Sequence, residues 1–131
     1  MYQVSILGLG LIGSRIARHM TGLGDKVTVW NRTPREDFPE AVPSPADAAR
    51  ASKIIQLYLK DRNACLEVFE QMRGALTPEH VILIHSTIDL ATVGKLSLMC
   101  SAIGCTYVDC PFTGSRLPAE KGELVYYAGT D

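Results

Sequence analysis

At 131 residues the chain is sized for one domain, 1–131, and its 47% apolar content excludes a disordered chain. Thirteen basic against fourteen acidic residues leave a net charge of -1, with no basic stripe to hold nucleic acid and no block of like charge. No apolar run reaches transmembrane length, and the apolar N-terminus lacks the basic start of a signal peptide and is broken by glycines, so a cytoplasmic protein without membrane or nucleic-acid partners is expected.

The run Val4-Ser5-Ile6-Leu7 passes without a linker into Gly8-Leu9-Gly10-Leu11-Ile12-Gly13. Ile12, Ile16, Ala17, Met20 and Leu23 then recur at helical spacing. A Gly-x-Gly-x-x-Gly turn between strand and helix predicts a dinucleotide site. Gly8 makes the tight turn, Gly10 admits the pyrophosphate, Gly13 lets the helix approach its strand, and the helix N-terminus faces the diphosphate. Lys26-Val27-Thr28-Val29-Trp30 is a β-branched strand followed by Asn31-Arg32-Thr33-Pro34. NAD sites usually carry an acid here, roughly 20 residues past the glycines, to hold the ribose 2′-hydroxyl. Asn31 removes that charge, Arg32 offers a planar fork of donors to a 2′-phosphate, Thr33 adds a hydroxyl and Arg35 stands near. NADP(H) is therefore expected in preference to NAD(H). Asn31-Arg32-Thr33 also matches a glycosylation sequon, which the absence of other secretory features makes accidental.

Ala41-Val42 reads as a very short strand. Ser44 is then an N-cap, Pro45 the first helical residue and Asp47 the returning capping side chain. Residues 53–59 form a buried strand. Asp61 caps a helix with Leu66, Phe69, Met72 and Leu76 on one face, closed near Gly74 and Pro78. Val81-Ile82-Leu83-Ile84 is the next buried strand. Asp89 opens a helix with Leu90, Val93, Leu96 and Met99 inward and Gly104 as C-cap. Residues 105–109 form a strand, 111–122 a looser stretch with two prolines and two glycines, and 124–128 a last strand whose exposed apolar side chains favour self-association into a homo-oligomer. Cys65, Cys100, Cys105 and Cys110 contain no CxxC pair and, with His19, His80 and His85, match no zinc spacing, so reduced thiols and no metal are expected.

Strands alternating with helices, each buried on both faces, predict an α/β fold: a Rossmann-type doubly wound, mostly parallel sheet with helices on both faces. Ligands bind such sheets at the carboxyl ends of the strands. The chemically interesting residues collect there: 8–13, 31–33, 58–60, 85–87 and 109–115. Ser86 and Thr87 read either as ligand-binding hydroxyls or as caps ahead of Asp89.

These segments together resemble the β-hydroxyacid dehydrogenase family. The resemblance rests on Gly8-Leu9-Gly10-Leu11-Ile12-Gly13, Tyr58-Leu59-Lys60, Ser86-Thr87-Ile88, Asp109-Cys110-Pro111-Phe112-Thr113-Gly114-Ser115 and Ala119-Glu120-Lys121-Gly122-Glu123-Leu124, in the family's order along the whole chain. The loop is most similar to that of glyoxylate and succinic semialdehyde reductases. The resemblance implies NAD(P)-dependent hydride transfer to or from a small carboxylate-bearing carbonyl or hydroxy acid. It implies that Leu9, Leu11 and Ile12 approach the diphosphate through their backbone, and that Tyr58, Leu59 and Thr87 line the nicotinamide side. Thr113, Gly114 and Ser115 would bind the acid, with Ser86 assisting either ligand. Lys60 departs from the family's usual proline, His85 from its methionine, and Thr113 from its serine. The family's proton-donating lysine and all-helical second domain correspond to positions beyond Asp131, so no catalytic residue is expected within the chain. Imine reductases share the segment Val29-Trp30-Asn31-Arg32-Thr33-Pro34 but not the later loop, and a dinucleotide-binding module without catalysis is the non-enzyme alternative.

Overall fold

The computed structural model describes residues 1–114 and 116–129. Five strands, β1 (Gln3–Leu7), β2 (Lys26–Trp30), β3 (Ile54–Leu57), β4 (Val81–Ile84) and β5 (Thr106–Asp109), form one parallel sheet in the order β2-β1-β3-β4-β5. The order reverses between β1 and β3, where Leu7 is flanked by Trp30 on one side and Leu57 on the other. Crevices open at such a reversal, outside the carboxyl ends of the strands.

Helices α1 (Gly13–Gly22), α2 (Pro45–Ala51), α3 (Arg62–Met72), α4 (Leu90–Ile103) and α5 (Arg116–Lys121) cover the sheet. The period of two along β1 divides them between its faces. Val4 and Ile6 pack with Ile16 and Ala17 of α1, Val29, Phe38 and Ala119 of α5. Leu7 belongs to the other core, with Ala48 and Ala49 of α2, Val68, Phe69 and Met72 of α3 and Leu96 of α4. Ser5 shares that second face, and its hydroxyl donates to the Ala48 carbonyl at 2.6 Å, so a buried polar side chain is satisfied. Two cores on opposite faces make the sheet doubly wound.

The helix starts follow from local chemistry. The Asp61 carboxylate accepts the Ala64 N–H at 2.9 Å, Asp89 accepts the Thr92 N–H at 3.3 Å, and the Ser44 hydroxyl accepts the Asp47 N–H at 3.1 Å while donating to the Asp47 carboxylate at 2.7 Å. Gly104 ends α4 in the left-handed region at φ 90°.

Several expectations are corrected. Residues 41–42 form no strand; a single rung, Val42 N–H to the Val29 carbonyl at 2.9 Å, is all that continues the sheet past β2, because Pro43 and Pro45 follow at once and proline donates nothing to a ladder. Leu90 points outward and is 88% exposed; as the first residue of α4 it lies outside the stripe set by Thr92, Leu96 and Cys100. The helix of Phe69 and Met72 ends at Met72, and one tighter turn (Arg73–Ala75) carries the chain to Leu76, which joins the same core from outside the helix. The looser stretch contains α5 and a strand, β6 (Phe112–Thr113), which pairs antiparallel with β7 (Val125–Tyr126). All four cysteines are free and buried.

His80 is a buried staple. Its Nε2–H donates to the Ala49 carbonyl at 2.7 Å and its Nδ1 accepts the Thr77 N–H at 3.0 Å, tying the turn before β4 to the end of α2. His80→Ala leaves both backbone groups without their partner and opens a cavity, so unfolding in urea should show a loss of about 2–4 kcal/mol.

Candidate functional site

The turn after β1 is shaped by two backbone approaches. Gly8 adopts φ +105°, and a Cβ on it would lie 2.1 Å from the Tyr58 carbonyl oxygen. A Cβ on Gly13 would lie 1.9 Å from the Gly8 carbonyl oxygen, so α1 begins in direct contact with the turn. Gly10 differs from both, since a Cβ there meets nothing within 4 Å. It faces open space in a cleft of about 300 Å³ lined also by Gly8, Asn31, Arg32, Thr33, Tyr58, Leu59 and Lys60, with Ala64 and Val68 of α3 as its wall. No side chain caps α1, and its first turn carries no acidic residue. The Ser14 and Arg15 N–H groups are taken by the Gly10 and Ile12 carbonyls, at 3.2 and 3.0 Å, so it is the positive dipole end of the helix that suits an anion.

Leu9 turns inward. Its side chain is buried, its N–H donates to the Asn31 carboxamide oxygen at 2.8 Å, and its carbonyl accepts from the Arg35 guanidinium. The Leu9 backbone is therefore engaged within the protein, while Leu11 is exposed and Ile12 half-buried at the helix start. Asn31 does more than remove a charge: its amide also donates to the Thr33 carbonyl at 2.7 Å, bracing the glycine turn against the end of β2. Arg35 is further held by a two-pronged pair with Asp37, at 2.9 and 2.7 Å, and by the face of Phe38. Arg32 and Thr33 stay exposed at the cleft, and Arg32 pairs there with Glu67 of α3. Sequence order alone does not reveal Glu67, which lies beyond a whole helix and a whole strand further along the chain.

At the ends of β3 and β4 the expected residues part company. The Ser86 hydroxyl accepts the Leu59 N–H at 2.8 Å and is buried, so it clamps two strand ends together, while Asp89 and not Ser86 caps α4. Thr87 is exposed at the same rim. Tyr58 lines the cleft, and its phenol also meets the Tyr126 phenol of β7 at 2.7 Å and the Gln56 carboxamide at 3.1 Å. Burial pushes the Tyr58 phenol well above its ordinary range, so it stays protonated. His85 stacks on Tyr58 with ring centres 4.5 Å apart and meets the edge of Tyr126 at 4.9 Å. Its Nδ1 lies 2.7 Å from the Cys110 carbonyl, which only accepts, so in the neutral ring Nδ1 carries the proton and Nε2, 3.0 Å from the Gln56 carboxamide, is left as the acceptor. Thr113 and Gly114 sit exposed at the end of β6, the strand that β7 pairs with. Gly114 has φ +131°, and a Cβ there would come within 2.4 Å of the Leu124 side chain. Ser115 lies outside the described residues. Tyr58 thus joins the glycine-turn cleft to the β6–β7 pair, so the two groups of expected site residues share one rim.

A doubly wound parallel sheet with an open glycine turn over a helix start at its reversal point is the build of a dinucleotide-binding domain. The chain belongs to the family described as the NAD binding domain of 6-phosphogluconate dehydrogenase, which it matches over residues 3–131. It is similar to glyoxylate/succinic semialdehyde reductase 1 of Arabidopsis thaliana, at 32% identity over 98% of this chain and 48% of that protein. It is also similar to the cytokine-like nuclear factor N-PAC of Mus musculus, at 29% identity over 98% of this chain and 24% of that protein. Its fold is shared with 3-hydroxyisobutyrate dehydrogenase of Mycobacterium tuberculosis, with a TM-score of 0.92 at 19% identity over 100% of this chain and 47% of that one. The chain spans about half the length of the reductase it matches. Among the described residues no helix is long and apolar enough to cross a membrane.

Burial pushes the His85 pKa down from 6.5 to about 4. As pH falls, the unfolded chain therefore takes up this proton before the folded one does. The contribution of neutral His85 is whole above pH 6.5 and is lost as pH falls toward 4. Between pH 7.5 and 5 the loss should be about 2 kcal/mol in urea unfolding, and His85→Gln should remove that part of the slope. A variant with an unchanged slope would mean that His85 is not the buried titrating group.

Proposed function

We propose that the chain is the NADP(H)-holding part of an oxidoreductase that passes a hydride between nicotinamide and a small carboxylate-bearing hydroxy acid or aldehyde acid. The observation that carries the cofactor choice is the tip of β2. A carboxamide and an exposed guanidinium stand where a carboxylate would repel a 2′-phosphate, beside a glycine turn with open space at Gly10. In this reading Gly8, Gly10, Gly13, Leu11 and Ile12 surround the diphosphate, with Leu9 and Asn31 fixing the turn from behind. Arg32 and Thr33 receive the 2′-phosphate. Tyr58, Leu59 and Thr87 flank the nicotinamide end, and Ser86 holds that rim together from inside.

When bound, the nicotinamide supplies or accepts the hydride; the protein orients and shields. Thr113, Gly114 and Ser115 are the candidates for holding the acid, because their loop matches the family's acid-binding segment and β6 packs against Tyr58, with Phe112 centred 5.9 Å from its ring. Similarity to a glyoxylate/succinic semialdehyde reductase over 98% of the chain supports a small aldehyde acid as substrate. The likeness to N-PAC, named as a nuclear factor, favours a second reading in which the same cleft binds dinucleotide without turnover. The two readings share every cofactor contact and differ in whether the β6 loop is used.

Arg32→Ala should weaken NADPH binding by about 1.5–3 kcal/mol, the scale for hydrogen bonds to a charged group, and leave NADH nearly unchanged in calorimetric titration. Equal affinity of the unmutated chain for both dinucleotides would overturn the NADP preference. Gly10→Val should fold, because its side chain meets nothing within 4 Å, yet lose dinucleotide binding by filling the space the pyrophosphate needs. Normal binding by a folded Gly10→Val chain would place the phosphates elsewhere.

A further inference from the structure

Arg32 does not wait free at the cleft. Its guanidinium is paired through Nη2 with the Glu67 carboxylate, and both side chains are more than half exposed, at 60% and 55%. Glu67 stands on α3 between Ala64 and Val68, the two residues by which that helix walls the cleft. The carboxylate therefore lies where the tip of β2 meets the cleft, although the residue at that tip, Asn31, is itself uncharged. Absence of an acid from the β2 tip in the sequence is thus offset in space by an acid from another element.

We propose that Glu67 is the selectivity-determining counter-charge of this site: by holding Arg32 and placing a carboxylate beside it, Glu67 narrows the margin by which NADP(H) is preferred over NAD(H). The inference rests on the dinucleotide reading above. A 2′-phosphate must take Arg32 from Glu67 and then sit beside a like charge, and both steps oppose NADP(H). A 2′-hydroxyl meets neither obstacle, and a nearby carboxylate is the group that accepts its hydrogen bond in NAD sites. Arg32 and Glu67 therefore act in opposite senses on the same discrimination, and the proposed preference is their difference.

The pair is solvent-exposed, so its leverage is moderate and falls with salt. Glu67→Gln keeps the size and the exposed position of the side chain while removing its charge. In titrations of the 131-residue chain at low ionic strength, the variant should bind NADPH about threefold to tenfold more tightly, with NADH changed by less than about twofold. The ratio of their dissociation constants should widen accordingly and narrow again as salt is raised. The same shift should appear for 2′,5′-ADP against 5′-AMP, which assigns it to the 2′-phosphate and not to the nicotinamide half. A ratio that stays the same or narrows in Glu67→Gln while both dinucleotides bind overturns the inference and leaves the dinucleotide reading intact. Failure of the unmutated chain to bind either dinucleotide overturns that reading, and this inference with it.

Discussion

The backbone contact between the turn after β1 and the start of α1 is the constraint on which the site depends. The Gly8 carbonyl occupies the place where a side chain at Gly13 would begin, and the Tyr58 carbonyl occupies the place for one at Gly8. Three segments of chain, 8–9, 13 and 58, are stacked backbone to backbone. This seating brings the helix start to the strand ends, turns Leu9 into the core and leaves its N–H facing Asn31. The Asn31 amide then orders the tip of β2, which sets where Arg32 and Thr33 emerge. A side chain at Gly8 or Gly13 would move all of these together; one at Gly10 would touch none of them.

Features governed by neighbours in sequence were readable from the sequence, and features governed by distant partners were not. Asp61, Asp89 and Ser44 each cap a helix three residues ahead, so type and spacing suffice. The buried runs of β1, β3 and β4 and the helical spacing of Ile16 and Ala17 announce a doubly wound sheet in the same local way. The Ser86 clamp has no local signature, because its partner, Leu59, lies 27 residues away, past the end of another strand. The Arg32–Glu67 pair spans 35 residues and has no signature at either end. β6 and its pairing with β7 have no such signature, because each strand is two residues long, too short for alternation to show. Leu90 falls on the apolar spacing of Val93, Leu96 and Met99, yet a helix's first residue has no preceding turn to define its face.

Polarity is distributed unequally around the rim. The glycine-turn side is populated by exposed charge, with Arg32, Glu67 and Lys60 in water. The β6–β7 side is held by neutral groups in contact with one another: Tyr58, His85, Tyr126 and Gln56. Burial keeps the His85 imidazole uncharged and the Tyr58 phenol protonated, so the joint between the two halves of the rim carries no formal charge. Salt should act on the first half and acid on the second, because screening needs exposed charges and protonation here needs a buried base.

The outer edge of β2 has a further consequence. A parallel sheet ending in an open strand offers a ladder on which another chain can grow. Here the neighbouring segment makes one hydrogen bond, through Val42, between Pro39 on one side and Pro43 and Pro45 on the other. Proline has no N–H to give and resists the conformations needed to lengthen the rung into a strand. At the opposite edge, Gly129 exchanges hydrogen bonds with Asp109 at the end of β5. The proline-rich connection therefore works as an end-stop, which protects a small, apolar sheet against strand-by-strand aggregation without adding a strand to the fold.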